Sequence, residues 1–590
     1  MEQSTFEVIT SQGSWPWLSA LIALPAIVAL LLGVIPALRN WGREIALVVS
    51  LVELVAAIFV AVEFDWSNSS AYQLMESYEW IPQIGVSWSV AVNALGLVMI
   101  LLAASLVPIV LVASRKEDED ARQGGSYAAL ILGLEAFMMV IFAAFDVVLF
   151  YLAFEAMLIP LFFMVGRFGF GENRQKAAVK TLVYSLLGGL AMLGGIVAIY
   201  AMAGSANEGE LFRYDTLSTL LPESSFALQM TVFITFAIAF AIKAPIVPVH
   251  TWLPDAAAAA RPGTSVLLVG VLDKIGTFGM IVFLLGFTPD AVEACRPVLL
   301  VLAVISILWG GFAANGQENL LRLISFTSVS HFGFMVLGIF IGNSIALNGA
   351  MYYMVAHGIS IAGMFLISGF LIRRGGTASV KEYGGMQRIV PVIAGTWIVA
   401  GLASIAMPGL SGFIPEYLVL MGTFSVSPWA AVISVFGVVI AALYVLMPYQ
   451  RIFTGTKNPK LEEMRDMTGL EKLSIAPLLV AMVILGLWSA PLSGSFEQVA
   501  ESSVIEAVAE SADESNTGGS DESKDETSDD TSEESEDSSN NSDEDEADNS
   551  DSADSAATSG NSDATADAAT MGNAEATAAF APTAGEGNSK

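Results

Sequence analysis

Two lysines and two glutamates stand where the chain is otherwise apolar. Lys243 lies in the run from Met230 to Val249 and Lys274 in the run from Ser265 to Phe287. Glu155 is embedded in VVLFYLAFEAMLIPLFF, and Glu416 in an apolar stretch interrupted by Pro408 and Pro415. A charge near the middle of a membrane helix costs roughly 2.5–3.5 kcal/mol on insertion scales. Groups kept there at that cost usually lie on a path for ions or protons, so these four are candidates for proton translocation. All three histidines, His250, His331 and His357, sit in or beside apolar runs, and an imidazole can relay protons near neutral pH. Each has an inert alternative. Lys243 could snorkel to an interface, Lys274 could belong to a structural ion pair, the glutamates could be protonated and idle, and a histidine could be a packing residue.

The elements that must hold these groups are helices in a membrane. The chain has 590 residues, 54% hydrophobic and 14% charged, which excludes an ordinary soluble enzyme. Apolar runs of spanning length fall at 17–38, 43–64, 88–113, 126–143, 146–166, 177–203, 226–249, 262–287, 297–314, 319–341, 345–372, 391–424, 428–452 and 470–490. The twelfth divides into two half-helices if it breaks at Pro408. The fold class is therefore all-α and polytopic, with about 14 membrane crossings. Loops after odd-numbered spans carry 19 Lys and Arg; those after even-numbered spans carry only Arg213 and Arg296. That bias places the odd loops in the cytoplasm and both termini outside.

The net charge of −32 belongs mostly to one end. From residue 501 onward there are 26 acidic residues against Lys524 and Lys590, with almost no large apolar side chains after Ser511. Such a segment reads as a disordered, solvated tail. The acidic N-terminus, MEQSTFEV, does not look like a cleaved signal peptide. The single cysteine, Cys295, permits no intrachain disulfide or cysteine-ligated metal site and reads as a small apolar filler. No two histidines stand at i, i+4. Walker loops, dinucleotide fingerprints and nucleophile elbows are also missing.

A faint internal repeat runs through the spans. The fifth ends in PLFFMVG (160–166) and the tenth in FGFMVLG (332–338); the seventh and twelfth carry paired prolines, Pro245/Pro248 and Pro408/Pro415. Two interrupted helices at matching positions of five-helix units suggest inverted repeats with sites at the breaks. The expected organisation is helices one to three over 1–125, a first repeat over 126–290, a second over 291–455, a loop and helix fourteen over 456–500, and the tail over 501–590. Around IKAPIVPVH, Lys243 is expected to serve the carbonyls that the prolines free.

HTWLPDA (250–256) followed by PGTSVLLVGVLDKIGTFG (262–279), with RLISFTSVSHFGFMVLG (322–338), resembles the antiporter-like subunits of complex I, the proton-pumping NADH:quinone oxidoreductase. The resemblance covers roughly residues 80–490 and is closest to the M type, the mitochondrial subunit-four type. Glu416 in MPGLSGFIPEY (407–417) carries that distinction, because the L and N types and the Mrp antiporter D subunit have lysine there. The resemblance implies that Glu155 and Lys243 form a switching pair, that Lys274 is the central lysine, that His331 and His357 relay protons, and that Glu416 lies on the exit side. It also implies partners: L-type and N-type membrane subunits and a hydrophilic redox arm that holds the NADH, FMN, iron–sulfur and quinone sites. No cofactor is expected in this chain, lipid is a partner and nucleic acid is not, and the location is the inner (plasma) membrane. Arg261, and Asp273 in place of an apolar residue, depart from the family pattern. A cation/proton antiporter subunit, a membrane-bound hydrogenase subunit and a purely structural membrane subunit are the alternatives.

Overall fold

The computed structural model describes residues 15–117, 120–203 and 210–517. The chain opens with α1 (Trp17–Val34) and α2 (Gly42–Glu63), then an antiparallel hairpin of β1 (Gln73–Ile81) and β2 (Val86–Val92). Next come α3 (Ala94–Ala113), α4 (Ala121–Ala143), α5 (Val147–Ala156), α6 (Leu158–Gly166), α7 (Arg174–Ala203) and the short α8 (Tyr214–Leu220). The central part holds α9 (Phe226–Lys243), α10 (Trp252–Ala259), α11 (Pro262–Leu267), α12 (Lys274–Gly279), α13 (Pro289–Asn315), α14 (Leu320–Phe340) and α15 (Ser344–Gly375). It ends with α16 (Pro391–Ser404), α17 (Phe413–Val426), α18 (Pro428–Phe453), α19 (Gly469–Leu487) and α20 (Ala490–Thr517).

Among the described residues, 13 helices are long and apolar enough to cross a membrane, and α16 with α17 supplies a further crossing in two pieces. This is the helical, polytopic architecture expected, with one β-hairpin that was not. α5 and α6 form one span, divided at Met157 because Pro160 has no N–H for the carbonyl of Ala156. The seventh span breaks over 244–251, which holds Pro245 and Pro248; the twelfth breaks over 405–412, which holds Pro408, while Pro415 sits in the first turn of α17.

Three differences from the sequence reading have plain causes. The third span starts at Ala94, not residue 88, because Val86, Trp88, Val90 and Val92 alternate with polar or small residues and form a strand. That strand is pinned by Asp146, which accepts from the Ser87 N–H at 2.9 Å and also caps α5. The seventh span ends as a regular helix at Lys243 rather than at residue 249. α20 runs to Thr517, past residue 501 where the acidic tail was placed; the rest of that tail lies outside the described residues.

Burial sorts the helices. The span from Pro262 to Leu285 and α14 are buried along nearly all of their length, and α15 along most of its own, whereas α1, α2, α7, α13, α18 and α19 present apolar side chains outward. Glycines allow the close contacts a bundle needs where no hydrophobic force joins helices. A Cβ on Gly333 would lie 2.7 Å from the Ile307 backbone nitrogen, so α13 and α14 touch through their main chains.

Candidate functional site

The breaks put charged side chains at helix ends. Lys243 is the last residue of α9, where the carbonyl end of the peptide dipoles favours a cation. Glu416 is in the first turn of α17, where the amide end favours a carboxylate. The seventh and twelfth spans thus carry opposite charges at opposite helix termini. Lys243 is 1% exposed and Glu416 4%, which excludes snorkelling for both.

Lys243 does not serve the freed carbonyls as expected. The Trp252 indole donates to the carbonyl of Ile242 at 2.9 Å, and Ser306 Oγ accepts from the Val247 N–H at 3.0 Å. Among the described residues the Lys243 ammonium has no hydrogen-bond partner; it lies over the Phe154 ring, 5.4 Å from its centroid. Glu155 is half-buried and within electrostatic range of Lys243, and its Oε1 is also unbonded. The pair is therefore open. Gly189 on α7 makes room for the carboxylate, since a Cβ there would overlap Glu155 Oε1.

Lys274 sits between two π-helical segments, Leu268–Leu272 and Met280–Leu285. A π turn widens the helix and shifts its bonding to the fifth residue, as in Asp273 N–H to Leu268 O at 3.0 Å. The ammonium bonds the carbonyl of Val269 on the same segment. It also meets His357 Nδ1 at 2.7 Å. His357 Nε2 is 3.2 Å from Ser328 Oγ, and its ring centroid lies 5.1 Å from that of His331. The Tyr444 hydroxyl is 2.8 Å from His331 Nε2. The Tyr353 ring lies 5.8 Å from the His331 ring, and its hydroxyl donates to Glu416 Oε2 at 3.0 Å. Lys274, His357, His331, Tyr353 and Glu416 thus form one buried row across α12, α15, α14 and α17.

Asp273 closes the gap between the two lysines. It is fully buried, both carboxylate oxygens lack a hydrogen-bond partner, and it lies within electrostatic range of Lys243 and Lys274. Gly276, three residues on and hence on the same side of the helix, packs against the main chain of Phe240 and Ala244. That contact turns Asp273 toward the end of α9.

His250 lies apart from the row, in the turn between α9 and α10, within electrostatic range of Lys180 and 6.2 Å from the Phe326 ring. Nearby is a cavity of about 420 Å³ lined by Lys176, Lys180, Asp255 and Arg322, among others. Lys180 bonds Asp255 at 2.7 Å and Arg322 pairs with the same carboxylate, so α7, α10 and α14 are tied together there. Burial pushes the Asp255 carboxyl up, but bonds from Lys180 and Arg322 outweigh it and hold the group below its usual range. Arg261 is structural: its guanidinium lies 4.7 Å from the Tyr127 ring centroid, and Nε donates to the carbonyl of Phe168 at 2.7 Å.

The family described as NADH:quinone oxidoreductase/Mrp antiporter, transmembrane, matches residues 144–441, the stretch that holds every group in the row. NADH-quinone oxidoreductase subunit M of Mycobacterium tuberculosis is 38% identical over 509 residues, covering 81% of this chain and 92% of that protein. The chain belongs to the antiporter-like subunit M family. Respiratory complex I from Thermus thermophilus contains a chain of the same fold, with a TM-score of 0.74 and 26% identity, covering 83% of this chain and 99% of that one. The Mrp complex from Dietzia sp. contains another, at a TM-score of 0.72 but 20% identity, covering 84% of this chain and 100% of that one; this likeness concerns the fold alone. Within this family member, sequence reasoning named Lys243, Lys274, Glu155, Glu416 and the histidines but not Tyr353, Tyr444 or Asp273 as site residues. Asp273 had a signal, a carboxylate beside a lysine in an apolar run. The tyrosines had none, because tyrosine is ordinary in such helices.

Proposed function

We propose that this chain is a proton-translocating membrane-arm subunit of an NADH:quinone oxidoreductase, driven by redox chemistry in other subunits. The observation that carries the reading is the buried Lys274–His357 contact at 2.7 Å, at the head of a row that ends on Glu416. A proton enters from the basic face by way of His250 and is held on Lys243. While Glu155 is near, its charge holds that proton in place. At about 4 Å and an effective dielectric near 20 the attraction is about 4 kcal/mol. When the pair opens, Lys243 becomes a better donor, and the Asp273 carboxylate accepts the proton and passes it to Lys274. From Lys274 it moves through His357, His331 and Tyr353, each taking one proton and giving up another, to Glu416. Moving one charge against about 150 mV costs roughly 3.5 kcal/mol, comparable to the switch.

The excess of lysine and arginine in the odd loops supports a cytoplasmic basic face, a plasma-membrane location and termini outside. The breaks in the seventh and twelfth spans support two inverted units over 126–290 and 291–455. The partners are L-type and N-type membrane subunits and a redox arm, which carries the cofactors.

The test is Lys243→Ala and Glu155→Gln in the intact complex. Proton pumping coupled to quinone reduction should fall severely while the complex still assembles; normal pumping in both variants would count against the assignment. An Mrp-type antiporter subunit is disfavoured by glutamate rather than lysine at 416. The subunits that co-purify with this chain decide between the two.

A further inference from the structure

Glu53 on α2 and Glu135 on α4 are fully buried, and none of their four carboxylate oxygens has a hydrogen-bond partner. They stand apart from the row described above, in the bundle formed by the first helices. The two helices start on the same face and run in the same direction. They touch at their bases, where a Cβ on Gly42 would lie 2.7 Å from the Gly125 Cα. Glu53 is eleven residues above Gly42 and Glu135 ten above Gly125, so at 1.5 Å per residue both lie about 15 Å up, near mid-membrane. The buried stripe of α2, Gly42, Ala46, Ser50, Glu53, Ala57 and Val60, is otherwise small, which lets α4 approach closely. The two carboxyls are within electrostatic range of each other.

Among the described residues, the elements packed on these two helices bring no counter-charge to the middle of either. α1, α3, α6 and β2, which pack on this pair of helices, carry no titratable residue. α5 brings Tyr151 and Glu155, and Glu155 is turned to Gly189 on α7. Arg43, Glu44 and Glu63 lie near the ends of α2, and Arg122 at the start of α4. Tyr127 is two turns below Glu135 and bonded to Thr264 Oγ1 at 2.8 Å. Arg39, at the base, bonds the carbonyls of Leu32 and Gly33. Two ionised carboxylates buried within each other's field would meet both the desolvation cost and mutual repulsion.

We propose that Glu53 and Glu135 form a second proton-binding site, a carboxyl pair in which each group carries an exchangeable proton at neutral pH, off the path from Lys243 to Glu416. Glutamine is nearly isosteric with a protonated glutamate, so Glu53→Gln and Glu135→Gln should both assemble. The complex that purifies with this chain is compared by infrared spectroscopy at neutral pH in H2O and D2O. The expected result is a protonated-carboxyl C=O band in the native complex that loses one carboxyl's worth of intensity in either variant and shifts in D2O. Superimposable carbonyl regions in native and variant complexes would mean ionised carboxylates and overturn the proposal. A band that never shifts in D2O would mean a sealed structural acid and also overturn it. If one glutamine variant fails to assemble, the other carries the same reading, because each carboxyl holds a proton of its own. Loss of assembly in both, with Glu53→Asp and Glu135→Asp intact, would mean a required negative charge and overturn it as well.

Discussion

Tyr353 lies against the His331 ring and donates to Glu416, while Tyr444 bonds His331 itself, so removing the Tyr353 hydroxyl takes away the bond that reaches the Glu416 carboxylate. A hydrogen bond to a charged group contributes roughly 1.5–3 kcal/mol. Tyr353→Phe is accordingly expected to slow proton pumping about tenfold or more, measured as proton uptake per quinone reduced in vesicles; unchanged pumping would remove Tyr353 from the path. Asp273→Asn should uncouple Lys243 from Lys274, with pumping lost and assembly retained. Gly189→Val should reproduce the Glu155→Gln phenotype without touching a charge, because its side chain would occupy the carboxylate's place. Charged residues in apolar runs were legible from sequence because little else explains their cost. By the same signal Glu53 in LVELVAA and Glu135 in LGLEAFM could have been found, since both lie in runs as apolar as that around Glu155. What sequence cannot supply is which of two lysines bonds a carbonyl: that depends on the π turns beneath Lys274, which no residue pattern announced.

The helix breaks at seven and twelve were readable because proline removes a donor, and lipid offers no substitute. β2 was hidden because a hydropathy window averages over its alternation. At the basic ends of α7, α10 and α14, the Lys180–Asp255–Arg322 cluster binds three helices through one carboxylate. Its carboxyl is held below the ordinary value near 3.8, so the stabilisation is present above that pH and is lost as acid carries the group through its lower folded value. Asp255→Asn should therefore lower thermal stability at neutral pH and erase the difference from native protein in strong acid. A melting curve insensitive to this substitution would mean the cluster holds nothing. Glu471 plays a similar part for α15 and α19, receiving Arg373 and Arg374 while capping its own helix through Thr468. It is almost wholly buried, and Glu471→Gln removes the counter-charge of both arginines, while Arg374 keeps its bonds to the carbonyls of Phe370, Arg465 and Asp466, so the expected cost is about 1–3 kcal/mol.

Across the bundle as a whole, the proposed orientation turns the lysine- and arginine-rich face to the cytoplasm. The segment beyond Thr517 should then be cut by protease added to intact cells and spared in inverted vesicles; the reverse pattern would invert the topology. The apolar belts on α1, α2, α13 and α18 fit lipid or neighbouring subunits equally well by composition, which is why partners were legible only through family resemblance. The opposed termini of α9 and α17 have a consequence for direction. Each peptide array is fixed in space and contributes about 0.3–1 kcal/mol at its end. On the proposed path one array holds a proton on Lys243 and the other disfavours one on Glu416. Together they make the forward transfer uphill by roughly 0.6–2 kcal/mol. A resting complex would therefore keep its proton parked at the entry, and only work delivered by its partners would lift it across to the far carboxylate.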